Sequence, residues 1–235
     1  MEQIVPKPQK GKWKRPLRTM TARELGCFLE TVTRWKEGRE EPVVGRVKKS
    51  LDDPFAILVA TILSLRTRDA VTSQAFGRLW ELAKTPKELL SVSPALLEKT
   101  ILPVGFYKTK ARSLRAICQK LLKQYGGKVP GDLDALLSLP GVGRKTANLV
   151  LIEGFQKEGI CVDTHVHRIL NWWGFAQTVN PDETEQLLRR ILPKRWWMPI
   201  NGLLVSFGQE VCRPSAPRCR ECPLAKRCPY PEKRV

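Results

Sequence analysis

The sequence lacks a hydrophobic run long enough to cross a membrane. Its longest apolar stretch, residues 55–65, contains Thr61 and Ser64 and is far shorter than the roughly 20 apolar residues of a membrane-spanning helix. Lysine-rich sequence, rather than the apolar core of a secretory signal, follows the first six residues. We therefore expect no transmembrane segment and no signal peptide, and a location in the cytoplasm, at the nucleoid if the source is prokaryotic.

Histidines and strand patterns are also scarce. Only two histidines, His165 and His167, occur in 235 residues, and side chains two positions apart point to different faces of a helix. A shared metal ion is therefore not expected. The predicted role of both is packing or hydrogen bonding, with a phosphate contact by one as the alternative. Alternation of apolar and polar residues, which indicates a half-buried strand, is nearly absent, so the predicted fold class is all-α.

Acidic residues are few compared with basic ones. The chain has 23 Asp and Glu against 41 Lys and Arg, which gives a formal net charge of +18 and a pI near 9.9. Hydrophobic residues, at 42%, and charged residues, at 27%, are those of an ordinary globular protein rather than a disordered chain. The charge surplus indicates an anionic partner, and nucleic acid is the leading candidate.

Helix start signals recur along the chain. Thr21 and Glu24 are spaced as a capping box, and elsewhere a capping side chain directly precedes a proline suited to the first helical position. These pairs are Asp53-Pro54, Thr85-Pro86, Ser93-Pro94 and Asn180-Pro181. We predict about ten short helices, with a flexible basic arm over residues 1–20 and a linker over residues 37–50.

A glycine-rich turn separates two of the predicted helices, at 132–137 and from about 143 to 155. Its sequence over residues 139–143 is Leu-Pro-Gly-Val-Gly. The two glycines allow a tight hairpin with positive φ, which leaves backbone N–H groups at the next helix start able to hold a phosphate. A helix–helix turn without a ligand is an equally weighted alternative. The predicted DNA contacts of this hairpin are Gly141, Val142, Gly143, Arg144 and Thr146.

Lys145 stands in the first turn of the helix that follows this hairpin. The positive end of the helix dipole disfavours another cation there and so favours the neutral amine that acts as a nucleophile. The alternative is an ordinary solvated surface lysine, one of the 41 basic residues. Its position directly after the hairpin favours the nucleophile.

Asp163 stands where an apolar segment, Cys161-Val162, enters a predicted helix. A helix N-cap is the ordinary role of Asp in that place. A carboxylate there can also stabilise positive charge that develops on a sugar when an N-glycosidic bond breaks, and assist proton transfer. Both roles stay open.

Four of the seven cysteines are crowded near the C-terminus with the spacing C-x6-C-x2-C-x5-C. Four thiolates suit either zinc or an iron–sulfur cluster. Because structural zinc usually shows two short cysteine pairs and only one is present here, we favour a [4Fe–4S] cluster. Its predicted ligands are Cys212, Cys219, Cys222 and Cys228. The basic residues among them suit contacts to the DNA backbone, and we predict Arg213, Arg218 and Arg220 for that role.

Three motifs in order resemble the endonuclease III family of helix-hairpin-helix DNA glycosylases. They are Leu139-Pro-Gly-Val-Gly-Arg-Lys-Thr-Ala147, Val162-Asp-Thr-His165 and the four-cysteine spacing. The resemblance runs from about residue 53 to residue 228 and implies a two-lobed helical fold with a DNA cleft. The implied parts are a six-helix barrel lobe over 47–157 with a helix-hairpin-helix at 132–155, and a second lobe from 21–46 plus 158–235 with a cluster loop at 212–228.

The resemblance also implies a function in base excision repair. It implies a bifunctional DNA glycosylase and AP lyase that removes oxidised pyrimidines of the thymine glycol type from duplex DNA and acts on abasic sites. Lys145 is then the Schiff-base nucleophile, Asp163 the catalytic carboxylate, and the four cysteines hold a [4Fe–4S] cluster. A monofunctional glycosylase, and a non-catalytic iron–sulfur protein that binds DNA or senses redox state, are the alternatives. A monomer is the simplest oligomeric state.

Two positions depart from the family pattern. Arg66 stands where the family commonly has a Gln that fills the gap left by an extruded base. Phe106 stands where a Leu wedge is common, and its larger ring suits intercalation between bases. Core packing beneath the turn at Gly105 is the alternative for Phe106.

Overall fold

The computed structural model describes residues 18–232, which form twelve α-helices and two short 3-10 helices and contain no strand. Residues 1–17 of the predicted basic arm lie outside the described part. The helices are α1 (Ala22–Lys36), α2 (Val43–Leu51), α3 (Pro54–Ser64), α4 (Asp69–Leu82), α5 (Pro86–Ser91), α6 (Pro94–Ile101), α7 (Tyr107–Tyr125), α8 (Leu133–Leu137), α9 (Arg144–Phe155), α10 (Thr164–Trp172), α11 (Pro181–Ile191) and α12 (Pro199–Glu210). The 3-10 helices are Lys194–Trp196 and Cys219–Glu221. The predicted all-α class is confirmed, and none of these helices is long and apolar enough to span a membrane.

Side-chain caps begin the helices where the sequence predicts them. Thr21 Oγ1 accepts a hydrogen bond from the Glu24 N–H at 3.2 Å, and the Glu24 carboxylate accepts one from the Thr21 N–H at 2.9 Å. This reciprocal pair is a capping box. The predicted caps Asp53, Thr85, Ser93 and Asn180 each accept a backbone hydrogen bond from the first turn of their helix.

The predicted linker over residues 37–50 is wrong in its second half, because Val43–Leu51 forms α2. Val43, Val44 and Val47 lie on the buried face of this helix. Gly45, which favoured a linker in the sequence, sits within the helix and costs roughly 1 kcal/mol relative to Ala. Burial of the three valines offsets that cost.

The chain divides into two compact units. One is continuous over residues 41–159 and contains α2 to α9. Its centre is α3, in which every residue from Phe55 to Leu63 is buried, so this helix is apolar around its whole circumference. α3 packs against α2, α4, α7 and α9. Gly154 of α9 allows close approach, because a Cβ there would lie 3.4 Å from the Pro54 Cα.

The other unit joins the segment before residue 41 to the segment after residue 159. α12 packs against α1 and α10. Trp173 lies at its centre, edge-on to Phe28 with ring centres 5.1 Å apart and 6.2 Å from the Phe207 ring. Met20 belongs to this core, and its N–H donates to the Gly174 carbonyl at 3.0 Å. The predicted arm therefore overlaps the folded unit at its last residue.

Candidate active site and metal centre

A tight hairpin joins α8 to α9. The Val142 N–H donates to the Leu139 carbonyl at 3.1 Å, and Gly141 takes the left-handed conformation with φ +76°. Gly143 is the N-cap of α9 with φ −93°, so only one of the two glycines needs a positive φ. A Cβ at residue 143 would meet no described atom within 4 Å. Glycine there therefore leaves the start of α9 open to an incoming group.

The residues of this hairpin differ in exposure. Gly141, Gly143 and Arg144 are exposed, whereas Val142 is buried and anchors the turn. Thr146 is 3% exposed, so its side chain faces the protein interior. A contact from Thr146 to DNA is therefore limited to its backbone, and the exposed hairpin surface consists of backbone and the Arg144 side chain.

Lys145 lies half-buried in the first turn of α9. That turn contains no acidic residue, and its N-cap is a glycine without a side-chain acceptor. The positive end of the helix dipole is therefore not offset by a carboxylate of the first turn or by a capping side chain. The remainder of the helix, from Thr146 to Ile152, is buried and holds the first turn in place.

Asp163 caps α10, as predicted. Its Oδ1 accepts hydrogen bonds from the N–H groups of His165 and Val166, each at 2.9 Å, and its Oδ2 lies 3.0 Å from His165 Nδ1. When the carboxylate is ionised it can only accept, and the tautomer of His165 with the proton on Nδ1 then donates to Oδ2. The residue is 7% exposed. Three hydrogen bonds therefore hold the carboxylate in one orientation.

His167 points away from His165 into a buried polar network. Its Nδ1 lies 2.7 Å from Thr184 Oγ1, and Asn171 donates to its backbone carbonyl at 2.8 Å. Burial lowers the pKa of His167 below its usual range, which favours the neutral ring. Hydrogen bonding is thus the role of both histidines, as predicted.

Arg66 and Phe106 lie at two neighbouring turns. Both take the left-handed conformation, with φ +52° and +57°, which is uncommon for residues other than glycine. The Arg66 guanidinium carbon lies 5.6 Å from the centre of the Phe106 ring. Phe106 is 61% exposed, so the alternative of core packing is wrong. Residues in sparsely populated backbone conformations cluster at functional sites.

The four clustered cysteines line one cavity. Aromatic rings form part of its wall: Trp172 stacks on Tyr230 with ring centres 4.3 Å apart. Among the described residues, no three His, Cys, Asp or Glu side chains are placed to share a single metal ion.

Burial acts strongly on two of these thiols. It raises the pKa of Cys212, which the neighbouring Arg168 guanidinium opposes, and it raises the pKa of Cys222 to about 11. Arg168 is itself buried and donates to the Cys212 carbonyl at 2.7 Å. The positive charge of a bound metal centre would oppose this effect of burial at Cys212 and Cys222 and favour their thiolates.

Of the three predicted basic contacts, Arg218 lines this cavity. Arg218 and Arg220 are exposed, and Arg213 is half-buried with its Nε donating to the Gln209 carbonyl at 3.1 Å. Arg218 lies 3.6 Å from the Glu221 carboxylate, a pairing that is weak at an exposed site. Arg218 and Arg220 therefore present positive charge on the surface of the loop.

The match to a family model and to curated relatives decides the identity of the chain. Residues 59–194 match the model described as HhH-GPD superfamily base excision DNA repair protein. The chain is 47% identical over 182 residues to endonuclease III of Thermotoga maritima, covering 77% of this chain and 85% of the relative. It is 35% identical over 205 residues to endonuclease III of Escherichia coli K12, covering 87% and 96%. The chain belongs to the endonuclease III family.

Solved structures of the family have the same fold. An endonuclease III trapped as a covalent intermediate with DNA aligns with a TM-score of 0.80 and 33% identity, covering 89% of this chain and 96% of that chain. A thermostable thymine-DNA glycosylase aligns at 0.75 with 26% identity, covering 87% and 95%. The resemblance is thereby confirmed, and this member of the endonuclease III family is a DNA glycosylase of base excision repair.

Sequence reasoning missed Lys110, a buried lysine in the first turn of α7. Its Nζ donates to the Leu63 and Leu65 carbonyls and to Thr67 Oγ1, at distances of 2.8, 2.5 and 3.0 Å. The signal was present, because Lys110 precedes the buried Leu114 by four positions and so lies on the apolar stripe of its helix. A lysine on such a stripe indicates a buried ammonium with acceptors.

Proposed function

We propose that this protein is a bifunctional enzyme that removes an oxidised pyrimidine of the thymine glycol type from duplex DNA and then cleaves the strand at the abasic site. The observation that carries the proposal is the placement of Lys145 in the first turn of α9, directly after a hairpin whose backbone is open at Gly143. An amine next to a phosphate-binding helix start is held close to the sugar of the bound nucleotide. The family and the DNA-trapped relative support this assignment.

The hairpin holds the DNA backbone in this proposal. Backbone N–H groups at a helix start attract phosphate through their partial positive charge, and Gly143 provides the room for it. Exposed Arg144 adds a full positive charge beside them. The net charge of +18 supplies the general attraction to duplex DNA. We propose that the protein acts as a monomer on duplexes with damaged bases or abasic sites.

Lys145 carries the covalent chemistry. Its neutral Nζ forms a bond to C1′ as the N-glycosidic bond breaks, and the base leaves with the bonding electron pair and takes up a proton. A proton from the new amine passes to the ring oxygen as the sugar opens to an imine. Loss of the C2′ proton then forms a carbon–carbon double bond, and the 3′ phosphate leaves with its C–O electron pair.

We assign Asp163 to the charge that develops on the sugar. A carboxylate stabilises the oxocarbenium-like state most effectively when it does not have to reorient during the reaction. The two backbone donors and His165 provide that preorganisation.

Phe106 and Arg66 are assigned to base extrusion. A base must leave the stack before an enzyme can act on its glycosidic bond, and aromatic or apolar wedges take over the stacking that is lost. Phe106 presents an exposed ring for that purpose. Arg66, beside it, presents hydrogen-bond donors to the base that remains without a partner.

A [4Fe–4S] cluster fits the four-cysteine cavity better than zinc. A single zinc ion brings all four sulfurs to within about 2.3 Å of one point, whereas cluster ligands surround a larger body. The presence of only one short cysteine pair in the sequence favours the cluster over zinc, and all four cysteines line the same cavity. Bound there by Cys212, Cys219, Cys222 and Cys228, it supplies a rigid support for the basic loop.

A Cys222→Ser variant is expected to lose the cluster. Serine provides no thiolate, so iron content and visible absorbance should fall to background and the thermal midpoint should drop. Cys27→Ser is the matched control, because Cys27 is an exposed cysteine of the same unit. Iron analysis, absorbance spectra and thermal unfolding of both variants measure the effect. Full iron content in Cys222→Ser would remove this residue from the ligand set.

Borohydride trapping tests the proposed function directly. Borohydride reduces an imine between protein and sugar to a stable amine, so a covalent adduct on gels reports the Schiff base. We expect an adduct with a duplex that carries one thymine glycol and with a duplex that carries one abasic site. An adduct with the abasic duplex alone would contradict the substrate assignment. Base release without any adduct would identify a monofunctional glycosylase instead.

A further inference from the structure

A buried charged side chain connects the two turns that carry Arg66 and Phe106. Lys110 is 6% exposed. Leu63 and Leu65, which supply two of its three acceptors, lie at the C-terminal end of α3. The last carbonyl groups of a helix accept no hydrogen bond from within the helix, and they lie at the negative end of its dipole. The side chain of Lys110, which belongs to α7, therefore donates hydrogen bonds to the carbonyl groups at the end of α3.

The acceptors match the ammonium form of Lys110. An ammonium has three N–H donors, and the structure places three oxygens around the nitrogen. Burial lowers the pKa of Lys110 to about 8, so the protonated form still predominates at pH 7. Leu65 and Thr67 are the immediate neighbours of Arg66, so one bond holds the backbone before that residue and another holds the side chain of the residue after it.

The second turn joins this network through Thr67. The bond from the Lys110 N–H to the Phe106 carbonyl, at 3.0 Å, is the first backbone bond of α7 and does not depend on the lysine side chain. Thr67 Oγ1 accepts from the Gly105 N–H at 3.2 Å as well as from the lysine. The two turns also touch directly, since a Cβ at Gly105 would lie 2.8 Å from the Arg66 carbonyl oxygen. One network therefore joins both turns.

We propose that Lys110 is a positioning residue for base extrusion: it locks the Arg66 turn and the Phe106 turn into one rigid wedge. The inference rests on the proposed function, because a wedge matters only if the enzyme opens the duplex. Two left-handed residues at exposed tips are strained, and such strain persists only when the surroundings hold it. If the two turns moved on contact with the duplex, the inserted side chains would not displace a stacked base.

The wedge matters most where a paired base must be displaced. A thymine glycol still faces its partner base, whereas an abasic site has no base to extrude. A Lys110→Met variant keeps the length of the side chain and loses its charge and donors. It should therefore slow the reaction on the thymine glycol duplex more than the reaction on the abasic duplex. We expect its single-turnover rate to fall about tenfold or more on the thymine glycol duplex and less than about threefold on the abasic duplex.

Two further variants test the wedge without removing a buried charge. Gly105→Ala forces the two turns apart at their closest contact, and Thr67→Val removes the shared hydroxyl. Lys123→Met is the matched control, an exposed lysine in the last turn of α7. The fluorescence of 2-aminopurine opposite the lesion reports loss of stacking at the extrusion site directly. Thermal midpoints of all variants show whether each is folded at the assay temperature.

Selective loss supports the inference. Lys110→Met, or Gly105→Ala and Thr67→Val if Lys110→Met does not fold, should lose both the fluorescence rise and the rate on thymine glycol while adduct formation at the abasic site persists. Equal loss on both duplexes, or no loss, would overturn it. If the wild-type protein formed no adduct with either duplex, the proposed function would fail. The fluorescence of the variants relative to wild type would then decide the role of Lys110.

Discussion

A Lys145→Gln variant is expected to form no borohydride-stable adduct with either duplex and to leave abasic DNA uncut. The amide nitrogen of glutamine does not add to C1′, so no imine forms and the C2′ proton is not acidified. The loss should exceed about 10³-fold, because the substitution removes the covalent route as a whole. Quantification of adduct and of cleaved strand on denaturing gels measures it.

DNA binding separates this effect from misfolding. The hairpin backbone and Arg144 remain in Lys145→Gln, and one phosphate contact is a small part of the total attraction. We expect affinity for an abasic duplex within about threefold of wild type. Lys123→Gln makes the same change in charge at an exposed position of α7 and should keep full activity. An undiminished adduct from Lys145→Gln would assign the nucleophile to another amine.

An Asp163→Asn variant is expected to slow base removal by about 10²–10⁴-fold, the range for loss of a positioned acid, base or charge-stabilising group. Asparagine caps helices as well as aspartate does, so its side-chain oxygen retains the bonds from the N–H groups of His165 and Val166. The thermal midpoint should therefore change little. Single-turnover rates on the thymine glycol duplex measure the catalytic effect separately from binding.

Two comparisons isolate the charge of Asp163 from its role as a cap. Asp163→Ala removes both and should destabilise the protein by about 1 kcal/mol as well as slow the reaction. Asp53→Asn makes the same chemical change at the N-cap of α3, where Asp53 accepts from the Phe55 N–H at 2.8 Å, and should leave the rate unchanged. A wild-type rate for Asp163→Asn would limit this residue to capping.

Helix starts were predictable because a cap is a local event. The side chain of Asp163 or Thr85 needs only the N–H groups two or three residues later, and those residues are adjacent in the sequence. α2 was mispredicted for the opposite reason. Its formation depends on burial of Val43, Val44 and Val47 where α2 packs against α3, α4 and α9. The presence of Gly45 in the local sequence gives no information about that packing.

The residues of the candidate site also differ in whether the local sequence or the tertiary structure reveals their role. Lys145 is recognisable because the hairpin, the helix start and the lysine are contiguous in the sequence. The exposure of Phe106, by contrast, depends on how the turn at Gly105 packs against Arg66. These two residues are about forty positions apart in the sequence. The bonds of Lys110 to the end of α3 have the same long-range origin.

The sequence by itself determined the all-helical class, the caps, the family motifs and the residue types available for nucleophile, carboxylate and cluster ligands, because each follows from composition or from near neighbours along the chain. Only the tertiary structure decided that Phe106 is exposed, that Lys110 joins the two turns beside it, and that the four cysteines line one cavity. These are distances between segments remote in sequence, and packing of the whole chain sets them.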